Sequence, residues 1–406
     1  MANHQECMGH SRVTAAVRRV TAWLAGVVHD EAVRWTFGVF LTVRVCLSAL
    51  AIVAITLRPL PEGAHERYVM SLGLEPVSTR AGQLLLEVWQ RWDVVHYQRI
   101  AAQGYTDDES SVFPPLLPAL MRLLGQLLGG DYLLAGMVIS NVAFALALLV
   151  LYELARLDYG ELVARKATLY LAIFPTAFFL LLPYSESLFL VFVLLAFYAG
   201  RHNHWVAASV AAAMASMTKL QGVVLILPLA YEYFEHITFD LRRAGWQAML
   251  LPLAPLPPIA FMWFRSVAGY PSLPSVLRDY WHSFVGAPWH NFANLAGRLS
   301  SQTLSANDAL DALITIPFLL FTLAAFRGMR RSYALYTAAT MLVILSIVYP
   351  PLPLMNLPRH ILLLFPTFIF MATLGSRPNV HRCIAYTSTS LLILLTGMFV
   401  QWLWVA

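Results

Sequence analysis

The sequence predicts an all-α polytopic membrane protein. Hydrophobic residues make up 59% of its 406 residues and charged residues 12%, which leaves too little polar surface to cover a soluble domain. Apolar runs of roughly 17 to 25 residues recur along the chain, and each could cross about 30 Å of hydrocarbon as a helix. We count about eleven such runs and predict about eleven transmembrane helices.

We predict a single membrane domain over residues 1–406. The sequence contains no visible internal repeat, low-complexity tract or separating linker. Arg12, Arg18 and Arg19 precede the first apolar run, and no small-residue cleavage site follows an apolar core there. We therefore expect the first spanning helix itself to be the insertion signal.

The positions of arginine and lysine predict the orientation, because short cytoplasmic loops carry the excess of these residues. With the N-terminus inside, the inside loops contain Arg156, Arg165 and Lys166, then Arg201, then Arg242 and Arg243, then Arg327, Arg330 and Arg331, then Arg377 and Arg382. Residues 58–131 and 268–306 then form external loops. Scarce lysine beside abundant arginine and alanine favours a bacterial plasma (inner) membrane.

The composition indicates neither nucleic-acid binding nor a framework built on cysteines. The net charge of +5 follows from the predicted topology, and no basic surface interleaved with aromatic residues indicates nucleic-acid binding. Cys7, Cys46 and Cys383 are far apart in the sequence, so neither a disulfide framework nor a metal-binding cysteine cluster is predicted.

The first external loop contains the stretch LLLEVWQRWDVVHYQRIAAQGY at 84–105. At about 100° per residue its side chains form an apolar face and a polar face, which predicts a juxtamembrane amphipathic helix lying on the bilayer. The polar face contains Glu87, Gln90, Arg91 and Gln98. Asp93 lies on the boundary between the faces, beside Trp89 and Tyr97.

A half-buried carboxylate suits a general base, because partial burial favours its protonated form and so lets it accept a proton near neutral pH. Asp93 is therefore the candidate base for removing a proton from a sugar hydroxyl. The alternative is a structural role in which Asp93 caps the helix or forms a salt bridge with Arg91 or Arg99.

The order RWD-x-x-HY-x-x-I-A-x-x-GY, FPPLLPAL, PYSESLF, TKLQG and PRHILLLFP, over about residues 89–366, resembles the PIG-V family of mannosyltransferases. The resemblance implies a GT-C-type fold and transfer of mannose from a polyprenyl phosphate carrier to an acceptor. Asp93 matches the acidic residue that GT-C enzymes carry in the first external loop. His360 stands where the family has tyrosine.

The resemblance and the chemistry together suggest a phosphate site. Arg359 is the leading donor-phosphate ligand, because arginine binds phosphate oxygens in bidentate fashion; the alternative is an interfacial anchor. Lys219 and Gln221 interrupt an apolar helix, where ionisable residues are costly and usually functional, so we assign them to the same phosphate. Gly222 would permit a helix break there.

Further residues are predicted to bind sugar or acceptor hydroxyls. Tyr184, Ser185 and Glu186 are expected at the outer surface between two helices, the alternative being a helix cap. The set also includes Tyr97, His96 and Trp289. His96 is alternatively a packing residue, and Trp289, in the segment YWHSFVGAPWHNF with Trp281, is alternatively an interfacial anchor.

Asp107, Asp108 and Glu109 could hold a divalent cation, which some GT-C enzymes require, although no third ligand at defined spacing supports a metal and a solvated turn is the alternative. We therefore predict a membrane glycosyltransferase that transfers mannose or a related hexose from a polyprenyl-phosphate sugar to a lipid-linked or glycan acceptor at the outer face. The alternative function is a polytopic transporter or lipid flippase, in which polar groups would line a midplane pathway.

Overall fold

The computed structural model describes residues 30–61 and 63–405, which are predominantly α-helical. The helices are α1 (Glu31–Leu57), α2 (Ala64–Ser71), α3 (Arg80–Leu85), α4 (Asp93–Gln103), α5 (Leu116–Leu127), α6 (Tyr132–Tyr159), α7 (Glu161–Ala172), α8 (Ser185–Arg201), α9 (Trp205–Thr218), α10 (Ile226–His236), α11 (Leu256–Val267), α12 (Leu273–Asp279), α13 (His290–Ser300), α14 (Ala306–Ala325), α15 (Arg331–Leu345), α16 (Leu357–His360), α17 (Phe365–Leu374) and α18 (Pro378–Val400). Strands β1 (Phe284–Val285) and β2 (Ile347–Val348) pair antiparallel. The predictions for Cys7, Arg12, Arg18 and Arg19 concern residues outside the described ranges.

The long apolar helices confirm a multi-pass membrane protein. Among residues 30–61 and 63–405, the four helices α1, α6, α14 and α18 are long and apolar enough to cross a bilayer. Two further pairs of consecutive helical segments are apolar enough together, at 246–267 with a bend of 43° and at 357–374 with a bend of 83°. If each bent pair is one span, the number of spans rises to six. The other apolar runs form shorter or broken helices, so this number is lower than the predicted eleven.

Polar side chains define where the long helices begin. The Asp30 carboxylate accepts from Ala32 N at 2.8 Å at the start of α1, and the Asp131 carboxylate accepts from Leu134 N at 2.8 Å at the start of α6. These caps satisfy backbone N–H groups that have no partner within the helix. The Asp131 cap marks the end of the loop at 58–131, whose start is set by the end of α1 at Leu57.

Helix α8 lies at the centre of the protein. Most of its side chains are buried, and it packs against α6 and α9. A helix that is hydrophobic all round is stable only when protein or lipid covers every side. Glu186 and Arg201 occupy opposite ends of α8, so they lie at opposite ends of the helical bundle.

The prediction of one continuous amphipathic helix over residues 84–105 is wrong. Helix α3 ends at Leu85, a short 3-10 turn spans Glu87–Trp89, and α4 begins at Asp93. Three residues of the predicted polar face, Gln90, Arg91 and Gln98, are buried. Periodicity failed because the segment packs inside the protein, where the polar residues bond to one another, as Gln90 does to His65 and Gln98.

The loops predicted to lie on the cytoplasmic side contact one another. Lys166 Nζ donates to the Gly375 carbonyl oxygen at 2.5 Å, and Tyr170 hydrogen-bonds to His381 at 2.9 Å. Arg201 pairs with Asp158 at 2.7 Å. These loops therefore share one end of the bundle, as the charge pattern requires.

Candidate active site

A sharp turn at Trp92 places Asp93 in the protein. Trp92 has a φ of 53°, which is unfavourable for a residue with a side chain. Asp93 is the first residue of α4, and only 8% of it is exposed. The carboxylate therefore lies at the N-terminus of α4, inside the protein.

Arg359 connects Asp93 to Glu186. Its Nη2 lies 2.8 Å from Asp93 Oδ2, and its Nε donates to Glu186 Oε1 at 2.6 Å. Arg359 belongs to the short helix α16, which Thr176 secures by donating its hydroxyl to the Pro358 carbonyl oxygen at 2.6 Å. Two residues far apart in the chain thus meet at one guanidinium.

Lys219 joins the same group from the end of α9. The helix stops at Thr218, Lys219 adopts an extended conformation, and a 3-10 turn follows. The Lys219 ammonium donates to Glu186 Oε1 at 2.9 Å. Gly222 packs against the end of α9, where an added Cβ would lie 2.5 Å from the Ser216 backbone nitrogen. The helix break that we predicted from Gly222 is therefore present.

We call Asp93, Glu186, Lys219 and Arg359 the charged network. One oxygen of Glu186 accepts hydrogen bonds from both cations, so the carboxylate holds the two positive groups side by side. All four side chains are buried or nearly so, and their formal charges cancel. A buried charge is tolerated when it is paired and hydrogen-bonded in this way.

The predicted position of Tyr184, Ser185 and Glu186 at the outer surface is wrong, because all three are buried. Tyr184 donates its hydroxyl to the Arg91 carbonyl oxygen at 3.3 Å, and its ring lies 4.6 Å from the Arg359 guanidinium carbon. The three residues begin a helix that is enclosed by protein. Their binding of sugar hydroxyls stays a prediction.

Tyr97 lies beside the charged network. It is 3% exposed and packs edge-to-face on Phe113 at 4.9 Å. Burial, then the negative charges of Glu186 and Asp93, raises the pKa of Tyr97 well above its ordinary range. Its phenol therefore stays protonated and can donate a hydrogen bond.

His96 lies in an aromatic cluster formed by the loops at 58–131 and 268–306. Its ring stacks on Phe113 at 5.4 Å and lies 5.5 Å from the Trp281 ring, while Trp281 donates its indole N–H to the Glu109 carbonyl oxygen at 3.1 Å. Burial lowers the pKa of His96, although Asp93 and Glu109 oppose this shift. A neutral imidazole is the form that can exchange a proton.

Trp281, rather than Trp289, is the tryptophan of the second loop that reaches this region. Trp289 is 67% exposed, and its ring contacts His290. Gln221 is also separate from the hydrogen bonds of the charged network: in residues 30–61 and 63–405 its buried Nε2 has no partner. The structure therefore brings together most, but not all, of the predicted site residues.

The Asp107 carboxylate is bound by neighbouring protein groups. Its carboxylate accepts from the Ser110 N–H and hydroxyl at 2.8 Å each and pairs with Arg99 at 2.7 Å. Burial alone would raise the pKa of Asp107, but the Ser110 bonds and the Arg99 charge bring it below its ordinary value. Within the described part of the chain, no group of three His, Cys, Asp or Glu residues is arranged to hold a metal.

Comparison with known families gives the residues of this site a context. Residues 71–255 match the model of the family described as "Mannosyltransferase (PIG-V)". Over these residues the chain is similar to the PIG-V mannosyltransferases. The matched region contains Asp93, Glu186 and Lys219, whereas Arg359 lies beyond it.

Two curated relatives carry the name GPI mannosyltransferase 2. The protein of Cryptococcus neoformans var. neoformans serotype D (strain JEC21) is 33% identical over 97 residues, which cover 21% of this chain and 23% of the relative. The protein of Chaetomium globosum is 29% identical over 202 residues, which cover 40% of this chain and 42% of the relative. The chain thus matches less than half the length of each of these two relatives.

Two solved structures align with most of this chain at low sequence identity. The crystal structure of ArnT from Cupriavidus metallidurans bound to undecaprenyl phosphate has a TM-score of 0.46 and 15% identity, covering 85% of this chain and 61% of that chain. The Archaeoglobus fulgidus oligosaccharyltransferase has a TM-score of 0.39 and 13% identity, covering 89% of this chain and 55% of that chain.

An apolar cavity of about 550 Å³ opens beside the end of α9. Met217, two residues before Lys219, lines it together with Tyr105, Phe261 and Phe264. Sequence reasoning missed this cavity, because its walls come from segments that are apolar like the rest of the membrane helices. The PPLLPAL segment that supplies its Pro115 was the available signal.

Proposed function

We propose that this chain is a membrane glycosyltransferase that transfers mannose or a related hexose from a polyprenyl-phosphate sugar to a lipid-linked or glycan acceptor. The observation that carries the proposal is the charged network, in which a carboxylate at a helix N-terminus adjoins two cations held by one oxygen. A base and a phosphate site are what such a transfer needs at one place.

The proposed reaction is a single inverting displacement. Asp93 accepts the proton of the acceptor hydroxyl as its oxygen attacks C1 of the sugar, and the bond from C1 to the phosphate oxygen breaks. The ion pair with Arg359 engages Oδ2, so the proposed proton acceptor is Oδ1. Arg359 holds the carboxylate in place through this contact and leaves the second oxygen for the acceptor hydroxyl.

Arg359 and Lys219 are the proposed ligands of the departing phosphate. A phosphate leaving group gains negative charge as the bond to C1 breaks, and cations already in place stabilise that charge without rearrangement. Glu186 is then the residue that holds the two cations together before the donor binds. The proposal assigns Tyr97 to a sugar or acceptor hydroxyl, because its phenol is buried beside Asp93.

The apolar cavity is the proposed site for the hydrocarbon chain of the carrier. Met217 lies in the last turn of α9, close in sequence to Lys219. A carrier phosphate at Lys219 would therefore have an apolar surface beside it for the first isoprene units. Burial of such a chain is favourable in proportion to the apolar area removed from water.

We also propose that the charged network faces the extracytoplasmic side of a plasma membrane. The arginine-rich loops meet at the opposite end of the bundle, as the contacts of Lys166 and Asp158 indicate. A membrane-impermeant maleimide should label a cysteine at exposed Ser78 in intact cells, and one at exposed Asn203 only after lysis. The reverse pattern would overturn this orientation.

The transfer assay tests the function itself. Purified protein is given synthetic polyprenyl-phosphate-mannose with radiolabelled mannose and membrane lipids, and wild type is compared with Asp93→Asn. Loss of a general base predicts a fall of about 10²- to 10⁴-fold in transfer. A folded Asp93→Asn variant with full activity would rule out Asp93 as base, and a wild type that transfers no label would refute this donor.

A further inference from the structure

The conformation at Trp92 depends on residues near the other end of the sequence. A φ of 53° is unfavourable for tryptophan, and such conformations persist where the surrounding structure determines them. The ring of Trp92 packs edge-to-face against Trp404 at 4.7 Å and against Trp402 at 5.4 Å. These two rings enclose the side chain whose backbone makes the turn before Asp93.

The neighbouring residue is fixed by the same segment. The guanidinium carbon of Arg91 lies 4.8 Å from the Trp402 ring centre, and Arg91 Nη2 donates to the Val400 carbonyl oxygen at 3.4 Å. Both residues that immediately precede Asp93 therefore contact residues 400–404. We call residues 400–404 the tryptophan segment.

The tryptophan segment is itself anchored to the end of α1. Gln401 Nε2 donates to the Ala54 carbonyl oxygen at 3.0 Å and to the Arg58 carbonyl oxygen at 2.9 Å. The rings of His65 and Tyr68 in α2 also pack on Trp402, at 5.6 and 5.2 Å. The segment thus connects a membrane helix to the turn that carries the proposed base.

We propose that the tryptophan segment is a positioning element that sets the location of the Asp93 carboxylate relative to Arg359. This inference rests on the proposed function, in which Asp93 is the base. Trp402 and Trp404 act through the backbone of Trp92, whereas the ion pair of the carboxylate is with Arg359. Trp402 and Trp404 are therefore positioning residues, because they contact Trp92 and not the Asp93 carboxylate.

The test uses the full chain in the mannose-transfer assay with Trp402→Leu and Trp404→Leu. Displacing a base by a small distance lowers the rate of the chemical step, so kcat should fall about 10- to 100-fold while KM for the donor stays within about twofold. Trp246, which is 65% exposed, supplies the matched control: Trp246→Leu should retain both constants. Wild-type kcat in both folded segment variants would overturn the inference.

A double-mutant cycle separates positioning from general destabilisation. If Trp402 acts through Trp92, then Trp92→Ala combined with Trp402→Leu should be no slower than Trp92→Ala alone. Multiplicative losses in kcat would show that the two residues act independently and would overturn the proposal. Should a leucine variant fail to fold, Trp402→Phe and Trp404→Phe replace each indole with a smaller ring that packs less closely on Trp92, so kcat should fall by a smaller factor with KM unchanged; a kcat equal to wild type in both would overturn the proposal.

The Asp93→Asn variant distinguishes the two levels of the argument. If Asp93→Asn is inactive while both leucine variants keep the wild-type kcat, the proposed base stands and only the positioning role fails. If Asp93→Asn is fully active, the proposed base fails, and the positioning role fails with it.

Discussion

The two ends of the helical bundle both contain ion pairs, but these pairs are built differently. At the arginine-rich end, Arg201 donates to both oxygens of Asp158 at 2.7 Å, and Tyr333 donates its hydroxyl to the same carboxylate at 2.9 Å. Asp158 and Arg201 lie in the last turns of long helices. Here two regular helices are joined by side chains whose hydrogen-bonding groups are paired with one another.

At the other end, the charged residues lie where helices are interrupted. Asp93 follows the turn at Trp92, Lys219 follows the end of α9, and Arg359 lies in the four-residue helix α16. Interrupted backbone is costly inside a membrane protein and is kept where it lines a binding site. The location of an ion pair, more than its presence, therefore identifies the candidate active site.

The largest expected difference between the two ends is in stability. Glu186 is fully buried and shared by two cations, so Glu186→Gln leaves buried positive charge uncompensated and should cost about 3–5 kcal/mol. Glu235 is 44% exposed beside Arg330, and exposed pairs contribute about 0–1 kcal/mol, so Glu235→Gln is the control. Equilibrium unfolding in detergent measures both, and equal losses would remove the distinction.

The second expected difference is in activity. Arg359→Lys keeps the charge but cannot contact Asp93 and Glu186 with two nitrogens of one planar group, so kcat should fall about 10²- to 10³-fold, as for loss of one donor to a developing charge. Arg201→Lys makes the same chemical change at the other end and should leave transfer near wild type. Comparable losses from the two variants would mean that Arg359 is a structural residue.

Sequence reasoning identified the residues of the charged network but not their connections. Asp93 came from its position between the two faces of the predicted helix and from motif resemblance, Arg359 from the resemblance and phosphate chemistry, and Lys219 from the cost of a charge in an apolar helix. The contact between Asp93 and Arg359 joins distant parts of the chain, and no local pattern encodes such a distance. Glu186 was assigned to sugar hydroxyls because its first-turn position gives no sign of two buried cations nearby.

The break in the helix predicted at 84–105 shows a second limit. The segment around Trp92 has no proline or glycine, so local propensity favours a continuous helix. The turn is stabilised by Trp402 and Trp404, which no helical periodicity could connect to it. In the same way, exposure rather than residue type separates Trp289 from Trp281, and exposure depends on how the loops pack.

The last prediction concerns Glu87. Its carboxylate is largely buried but, among the described residues, does not accept hydrogen bonds from two cations as Glu186 does. Its Oε1 lies 3.9 Å from His65 Nε2. Burial, then the charge of Glu66, raises the pKa of Glu87 from 4.5 to about 7. Between these values the folded protein holds a proton that the unfolded chain has lost, so this group lowers stability as the pH rises from 4.5 to 7.

The variant Glu87→Gln should therefore be more stable than wild type at about pH 8, with the advantage disappearing towards about pH 4. His65 contributes in the opposite direction, because burial lowers its pKa from 6.5 to about 4 and stability from this group rises with pH in that range. His65 is present in both proteins, so the difference between their unfolding midpoints across the pH range reports mainly the titration of Glu87. A difference that does not change with pH would mean that the charge of Glu87, like that of Glu186, is compensated in the folded protein. Both buried carboxylates at this end of the bundle would then be paired with positive charge.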